Sequence, residues 1–564
     1  MSKPSSSSVE DAALLQRWIE TAGRADLIAE LDRWPEAAQR EALRVRFRVD
    51  VAWFAALCFP ELTRLPYNRA HLWMLDDIGS VPAWEARILE DRPEWAFNIE
   101  APRGLAKTTI TKLIILHRIV YRCERYIIWG GPSQPEAKKE TRHLASLFAV
   151  PPPLFASLYG PFKVSGEVFD WRVSVRGGRP IQVSTRSVPG GKFRGSNMDG
   201  QRPTAILLDD VESPKAVRNP ELRNELSEFI GSDIRNSGPP EGGLLFIEVG
   251  TRLHRDSQTA RQAADPAFIS QRYQAVIAWP ERADLWERCR RLWADLTDEN
   301  RLQTALDFYE EHQEEMDRGA EVLDPHKQPI YTLYTILWSR GAVAFWKDLM
   351  NAPRAGGENT FDLDSYPRCR FDELRRIIIA ADGREVPLHE CRLVIWLDPR
   401  ASRSATKNDY GAIAVLAMDR YRYRYALYVD QRRDSPSAQR ERLWRWFERF
   451  AEAEVYYEDN GFQALIGDAF ARDCEARRAA GLRVDMSPQG MTSTENKDDV
   501  IAAIEPDLAN GWLQLEARLD AITCDQIREH PSASHDDGLE AIAKADRQLR
   551  GSAGYADFYQ GLGL

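Results

Sequence analysis

Four carboxylates lie at the ends of apolar segments, where rigid backbone could aim them. Asp398 closes the run Leu393-Val394-Ile395-Trp396-Leu397, and Glu458 closes Val455-Tyr456-Tyr457. Asp536 and Asp537 open the helix-like stretch Gly538-Leu539-Glu540-Ala541-Ile542-Ala543. A carboxylate at the end of one strand, another at the end of a second and a third on a following helix can hold two divalent cations, Mg2+ or Mn2+, for phosphodiester hydrolysis. Ions roughly 3.5–4 Å apart need several converging oxygens to stabilise the attacking and the leaving oxygen. Asp398 is expected to bridge both ions. Glu458 is preferred to Asp459, which points to the opposite face of a continuing strand. Adjacent residues at a helix start point about 100° apart, so one of Asp536 and Asp537 aims at the ions while the other caps or holds water. The reading leans to Asp537. His535 fits a capping or outer position at least as well as a ligand, and Asp409 fits a turn. The alternation Arg420-Tyr421-Arg422-Tyr423-Arg424-Tyr425 could grip a phosphate backbone, but a solvated face is preferred.

The N-terminal half carries a different phosphate chemistry. Trp95-Ala96-Phe97-Asn98-Ile99 is strand-like, Leu113-Ile114-Ile115-Leu116 is helix-like, and between them runs Ala101-Pro102-Arg103-Gly104-Leu105-Ala106-Lys107-Thr108-Thr109. Strand, tight loop, Lys-Thr, helix is the context of an ATP-binding P-loop. There, backbone N–H groups cradle phosphates, Lys107 reaches the β/γ-phosphates and the Thr108 hydroxyl binds Mg2+. Ala101 and Ala106 stand where the pattern G-x-x-x-x-G-K-[ST] has glycines, so the loop must be accommodated differently. Thr204-Ala205-Ile206-Leu207-Leu208 ends in Asp209-Asp210. Asp209 suits a water-mediated Mg2+ contact, and Asp210 or Glu212 could orient the attacking water. A third strand, Leu244 to Gly250, ends in Thr251-Arg252, placed to sense the γ-phosphate.

The elements that must carry these groups follow from periodicity. Residues 1–50 read as a helical lead-in. Residues 51–255 alternate strand and helix patterns, as in a P-loop ATPase core with a parallel sheet flanked by helices. Residues 256–385 read as a helical lid and linker, with Trp-rich helices near 279–294 and 338–346 in a core and a Pro/Gly-rich stretch at 351–359. Residues 386–564 read as a second α/β domain. At 564 residues there is chain for two full cores. Seven scattered cysteines without Cys-x-x-Cys argue against a disulfide frame or zinc knuckle, and no apolar run approaches a membrane span. A net charge of −11 argues against nonspecific coating of nucleic acid, though not against a local basic channel.

In their order, these motifs resemble the large terminase subunit of tailed double-stranded DNA bacteriophages and prophages, across residues 50–550. Ala101 to Thr108 is similar to that family's variant Walker A, and Arg103 matches its cis-acting arginine finger. Arg194-Gly195, Arg202-Pro203 and Asp209-Asp210 are similar to its Walker B approach. Gly250-Thr251-Arg252-Leu253-His254 resembles its coupling motif, and Phe345 to Pro353 the segment closing the motor half. Asp398-Pro399, Tyr457 to Gln463 and His535-Asp536-Asp537 resemble the metal-binding motifs of its RNase H-like nuclease, a mixed sheet with helices.

The resemblance implies an additional-strand, catalytic-Glu ATPase followed by a nuclease that cuts concatemeric DNA. Arg103, Gly104, Ala106, Lys107, Thr108, Thr109 and Asp209 would bind ATP and Mg2+, and Thr251 would couple hydrolysis to movement. The implied partners are double-stranded DNA, a portal protein, a small terminase subunit and further copies in a ring on the portal. The implied location is the cytoplasm of the infected host. Two other readings use the same residues: a helicase- or repair-type ATPase with an accessory nuclease, and a packaging adaptor with an inactive ATP loop. The glycine-poor loop favours the adaptor, and the intact carboxylate sets oppose it.

Overall fold

The computed structural model describes residues 36–89, 94–167, 170–353, 360–399, 410–459, 463–492 and 495–551. Of the sequence expectations, the lead-in over residues 1–35, the linker stretch 354–359, Asp409, and residues 460–462 after Glu458 lie outside them. The chain divides into two compact units, Met1–Gln274 and Ala275–Leu564.

The N-terminal unit is built on eight strands: β1 (Glu94–Glu100), β2 (Tyr126–Gly131), β3 (Phe162–Glu167), β4 (Asp170–Val175), β5 (Ile181–Ser187), β6 (Ala205–Asp209), β7 (Leu244–Gly250) and β8 (Phe268–Arg272). Their order is β3-β4-β5-β2-β6-β7-β1-β8. The six strands from β5 to β8 pair in parallel, with β4 and β3 added antiparallel at one edge. β2, β6 and β7 are buried at every position, which is why they read as unbroken apolar runs rather than alternations. β7 lies between β1 and β6, so a strand is inserted between the one that feeds the phosphate loop and the one that ends in Asp209. β8 pairs with β1 and extends this unit past residue 255, to Gln274. Two helices matter below: α1 (Lys107–Val120) and α2 (Gln258–Ala264).

In the C-terminal unit a two-stranded ladder, β9 (Val276–Ala278) with β10 (Glu321–Val322), accompanies the helices of residues 283–348. Trp286, Trp293 and Trp338 of those helices are buried in one core with strands of the main sheet. That sheet has nine strands: β11 (Arg368–Asp372), β12 (Ile377–Ile379), β13 (Glu385–Pro387), β14 (Arg392–Asp398), β15 (Gly411–Met418), β16 (Arg424–Arg432), β17 (Glu454–Glu458), β18 (Gln489–Met491) and β19 (Leu513–Glu516). Their order is β13-β12-β11-β19-β16-β15-β14-β17-β18. β14, β15 and β16 pair antiparallel, whereas β17 runs parallel to β14 and sets the ends of the two strands side by side. Three helices complete the site: α3 (Lys497–Ala502), α4 (Ala521–Glu529) and α5 (Asp537–Arg550).

α5 packs across β14, β15 and β16 and is buried at Leu539, Ala541, Ile542, Ala543, Ala545 and Leu549. Its far end is fixed by charge. Arg424 pairs with Asp546 at 2.9 Å and with Asp507 at 3.0 Å, and Arg550 pairs with Asp507 at 2.6 Å. This corrects the reading of the Arg-Tyr alternation as a solvated face. Arg420 and Arg422 are exposed in the turn, but Arg424 already belongs to β16 and is only 6% exposed. Among the described residues no helix is long and apolar enough to cross a membrane.

Candidate functional sites

In the N-terminal unit the chain leaves β1 at Glu100 and enters α1 at Lys107. Ala106, the residue preceding α1, has φ 59° and ψ 26°, and Gly104 has φ 81°. The alanine therefore adopts the left-handed geometry that glycine gives without penalty, at a cost of about 1–2 kcal/mol. Lys107 Nζ donates to Thr251 Oγ1 at 2.9 Å, to the Ala101 carbonyl at 3.2 Å and to the Pro102 carbonyl at 3.4 Å. Thr108 Oγ1 donates to Asp209 Oδ1 at 3.1 Å, which brings the hydroxyl and carboxylate expected to share a metal shell into contact across 101 positions. Burial, then Asp210, pushes Asp209 up to about 7, against the pull of Thr108 and Lys107. Thr251 Oγ1 also donates to Ala101 O at 3.2 Å, tying the end of β7 to the loop. Arg252 is paired with Glu100 at 2.7 Å. Arg103 and Gly104 are exposed on the loop, and Thr109 is half-buried one position after Thr108.

The two candidates for orienting water differ in their partners. Asp210 is half exposed at φ 45°, with Oδ1 3.8 Å from Lys107 Nζ. Glu212 lines the same small cavity as Asp210, Glu248 and Thr251, but its Oε1 accepts from the backbone N–H of Gln258 at 2.7 Å, at the start of α2, and burial lifts it to about 7. A third acid, Glu248, was not singled out from the sequence. It lies inside β7, buried, raised to about 8, and accepts from Gln262 Nε2 at 2.6 Å. The one signal was a lone charge within Leu244 to Val249. A basic side chain, a hydroxyl and buried carboxylates converging at a helix start form a donor set that fits a Mg2+–nucleotide.

In the C-terminal unit Asp398 and Glu458 end the neighbouring parallel strands β14 and β17. One turn into α5, Glu540 joins them, and an oxygen from each of the three lies within 4.8 Å of the others. Lys544 Nζ is 2.6 Å from both Glu458 Oε2 and Glu540 Oε1. Lys497 Nζ is 2.6 Å from Asp536 Oδ1 and 3.8 Å from Asp537 Oδ1, and also pairs with Glu540. Burial raises Asp398 well above the usual carboxylate range, Glu540 and Glu458 add to the rise, and Lys544 and Lys497 oppose it. Three clustered acids of this kind could hold a metal ion, and two ammonium groups already offset part of their charge.

Asp536 was expected with Asp398 and Glu458, but it lies in a second group with Asp498 and His530. The reason is helical geometry. Asp536 precedes α5 with non-helical φ −141°, whereas Asp537, Glu540 and Lys544 recur at i, i+3 and i+7 and share one face. Asp537 accepts from the Tyr410 N–H at 3.3 Å and stands beside the three through Lys497. Glu540 and Lys544 are not among the sequence expectations; their helical spacing from Asp537 was the available signal. Asp459 is buried beside β18, with its N–H on Met491 O at 2.9 Å. His535 sits edge-on to Tyr410, with Nδ1 4.0 Å from Asp537.

Residues 395–545 match the family model described as the terminase RNase H-like domain. The large terminase of a thermophilic bacteriophage superposes with a TM-score of 0.42 at 9% identity, covering 85% of this chain and 98% of that one. A manganese-soaked, inhibitor-bound terminase nuclease domain of human cytomegalovirus gives 0.23 at 14% identity, over 30% and 88%. The ATPase domain of the large terminase of Thermus phage P74-26, in a mutant form, gives 0.26 at 10% identity, over 48% and 93%. Comparison with curated proteins finds no match.

Proposed function

We propose that the chain, whose residues 395–545 match the terminase RNase H-like family model, is a DNA-packaging motor subunit that hydrolyses ATP to move double-stranded DNA and cuts that DNA with divalent metal ions. The observation that carries the reading is the meeting of Asp398, Glu458 and Glu540, from two strand ends and a helix, inside the matched domain.

In the nuclease, Asp398, Glu458, Glu540 and Asp537 would hold two Mg2+ or Mn2+ ions, which would supply Lewis acidity and lower the pKa of water. Lys544 neutralises part of the carboxylate charge and fixes the orientation of Glu458 and Glu540 through its two contacts. In the motor, the loop from Arg103 to Thr109 would cradle the phosphates, Lys107 would neutralise them, and Thr108 and Asp209 would hold Mg2+. Asp210, being at the loop, orients the attacking water in preference to Glu212, which is engaged at α2. Arg103 stabilises charge developing in the transition state. Thr251 shares Lys107 and Ala101 with the loop, so a change at the phosphates reaches β7. Portal protein, small terminase subunit and further copies of the chain are the proposed partners, in the cytoplasm of an infected bacterium.

The test is purified protein assayed for nicking of supercoiled plasmid in Mg2+ or Mn2+ and for phosphate release from ATP. Asp398→Ala is expected to lose nicking and keep ATP turnover. Full nicking by a folded Asp398→Ala protein rejects the metal-nuclease reading.

A further inference from the structure

We infer that Asp498, His530 and Asp536 form a separate binding site for a transition-metal dication, distinct from the cluster of Asp398, Glu458 and Glu540. The three side chains come from different places: the first turn of α3, the residue that follows α4, and the residue preceding α5. An atom of each lies within 4.8 Å of the others.

The imidazole supplies the independent observation. His530 is 3% exposed, and its Nε2 has no hydrogen-bond partner among the described residues. The rest of the residue is held firmly. Nδ1 is 3.0 Å from Thr360 Oγ1, and the His530 carbonyl accepts from the Thr360 N–H at 2.8 Å. A ring fixed through one nitrogen, with the other buried and unsatisfied, is how a metal-ligating histidine is oriented. When Nδ1 donates to Thr360 Oγ1, Nε2 keeps a lone pair that calls for a Lewis acid or a proton, and the carboxylates of Asp498 and Asp536 grouped with this ring favour a positively charged occupant. Lys497 engages Asp536 through Oδ1, so a second oxygen of that carboxylate remains for an ion. Asp498 is exposed, which leaves an entry path.

The ligand set chooses the class of ion. One imidazole nitrogen with two carboxylate oxygens suits Mn2+, Co2+ or Zn2+, whereas Mg2+ and Ca2+ prefer oxygen alone. The nuclease cluster is made of carboxylates only. A directly bound nitrogen therefore distinguishes the two sites.

The experiment titrates the full chain carrying both Asp398→Ala and Glu458→Ala with Mn2+ alone and reads the ion by pulsed electron paramagnetic resonance. Directly coupled imidazole nitrogen is expected in this background, and it should disappear with His530→Ala. Because His530 is buried, Asp498→Asn gives an arm at an exposed position; it should weaken the nitrogen-coupled Mn2+ at least tenfold with the circular dichroism spectrum unchanged. Absence of nitrogen coupling in the double variant, or coupling that survives Asp498→Asn at unchanged affinity, overturns the inference. Neither result bears on plasmid nicking by the unmodified chain, so the site and the proposed nuclease fail separately.

Discussion

Glu540→Gln is the sharpest test of the carboxylate cluster, because the change removes one charge and keeps the shape. Glu540 meets Asp398 and Glu458 within 4.8 Å, and each such pair at an effective dielectric of 20 costs at least about 3.5 kcal/mol, or at least about 7 kcal/mol together. Against this, an ammonium at the 2.6 Å of Lys544 contributes about 6 kcal/mol on the same scale, and Lys497 at least as much. Taking a carboxylate out of water costs several kcal/mol more, so the terms for Glu540 nearly cancel without metal. The substitution is expected to change unfolding free energy by no more than about 2 kcal/mol, read by urea denaturation with Mn2+ excluded. With divalent ions present the balance changes, because a dication gains from every anionic ligand. Losing one should weaken binding by about 3 kcal/mol or more, a factor of at least about 100, with nicking falling at least in proportion. Calorimetric Mn2+ titration and plasmid nicking are the assays. Asp536→Asn is the control and should keep nicking within about threefold, since its carboxylate belongs with Asp498 and His530. Glu540→Gln that nicks like the unmodified chain, or Asp536→Asn that does not nick, refutes the assignment.

Lys107→Ala should abolish ATP turnover while plasmid nicking continues; loss of both in a folded protein breaks the division of labour. Arg103→Ala should lower kcat roughly 10³-fold with little change in nucleotide affinity, measured by steady-state turnover and equilibrium binding, whereas a pure affinity loss would make Arg103 a phosphate clamp. Ala106→Gly should raise stability by up to about 1 kcal/mol and Ala106→Val lower it by at least about 1 kcal/mol in urea titrations; a fall with glycine contradicts the left-handed backbone. Glu248 is raised from 4.5 to about 8 in the folded chain, so the native state holds its proton more tightly than the unfolded state. Its contribution is full below about pH 4.5 and is lost as pH rises through about 8, with a slope of at most about 1.4 kcal/mol per pH unit. Glu248→Gln should flatten that part of the stability–pH curve, and an unchanged slope counts against a buried protonated acid.

Fully buried strands were the most legible part of the chain. β6, β7 and the inner positions of β14 carry apolar runs that end in Asp or Gly, so strand ends and carboxylates could be read together. The inserted position of β7 was legible only through the resemblance, because strand order depends on contacts that no local pattern encodes. Asp398 and Glu458 were visible for the same reason as the strands. Glu540 was hidden inside an amphipathic helix, where a charged residue usually faces water. Here α5 is covered on both sides, and Glu540 is buried with Lys544. Arg424 was misread because alternation places residues on a face without saying whether that face is covered. Glu212 and Asp210 could not be separated by sequence either. The choice depends on a backbone turn at φ 45° and on the start of a helix 46 positions away.

The ion pairs at the far end of α5 affect how genetic data on this protein should be read. Arg424, Asp507, Asp546 and Arg550 hold in place the helix that presents Glu540, yet none of them belongs to the three-carboxylate group. Removing one partner of a buried pair leaves the other charge unmatched and commonly costs about 3–5 kcal/mol. A screen scored on DNA cutting alone would therefore rank these four positions with Asp398 and Glu458, and the apparent active site would spread along the helix. Scoring the same library for soluble, protease-resistant protein would divide the hits. Changes at 424, 507, 546 and 550 would lose folding and cutting together, whereas changes at 398, 458 and 540 would lose cutting alone.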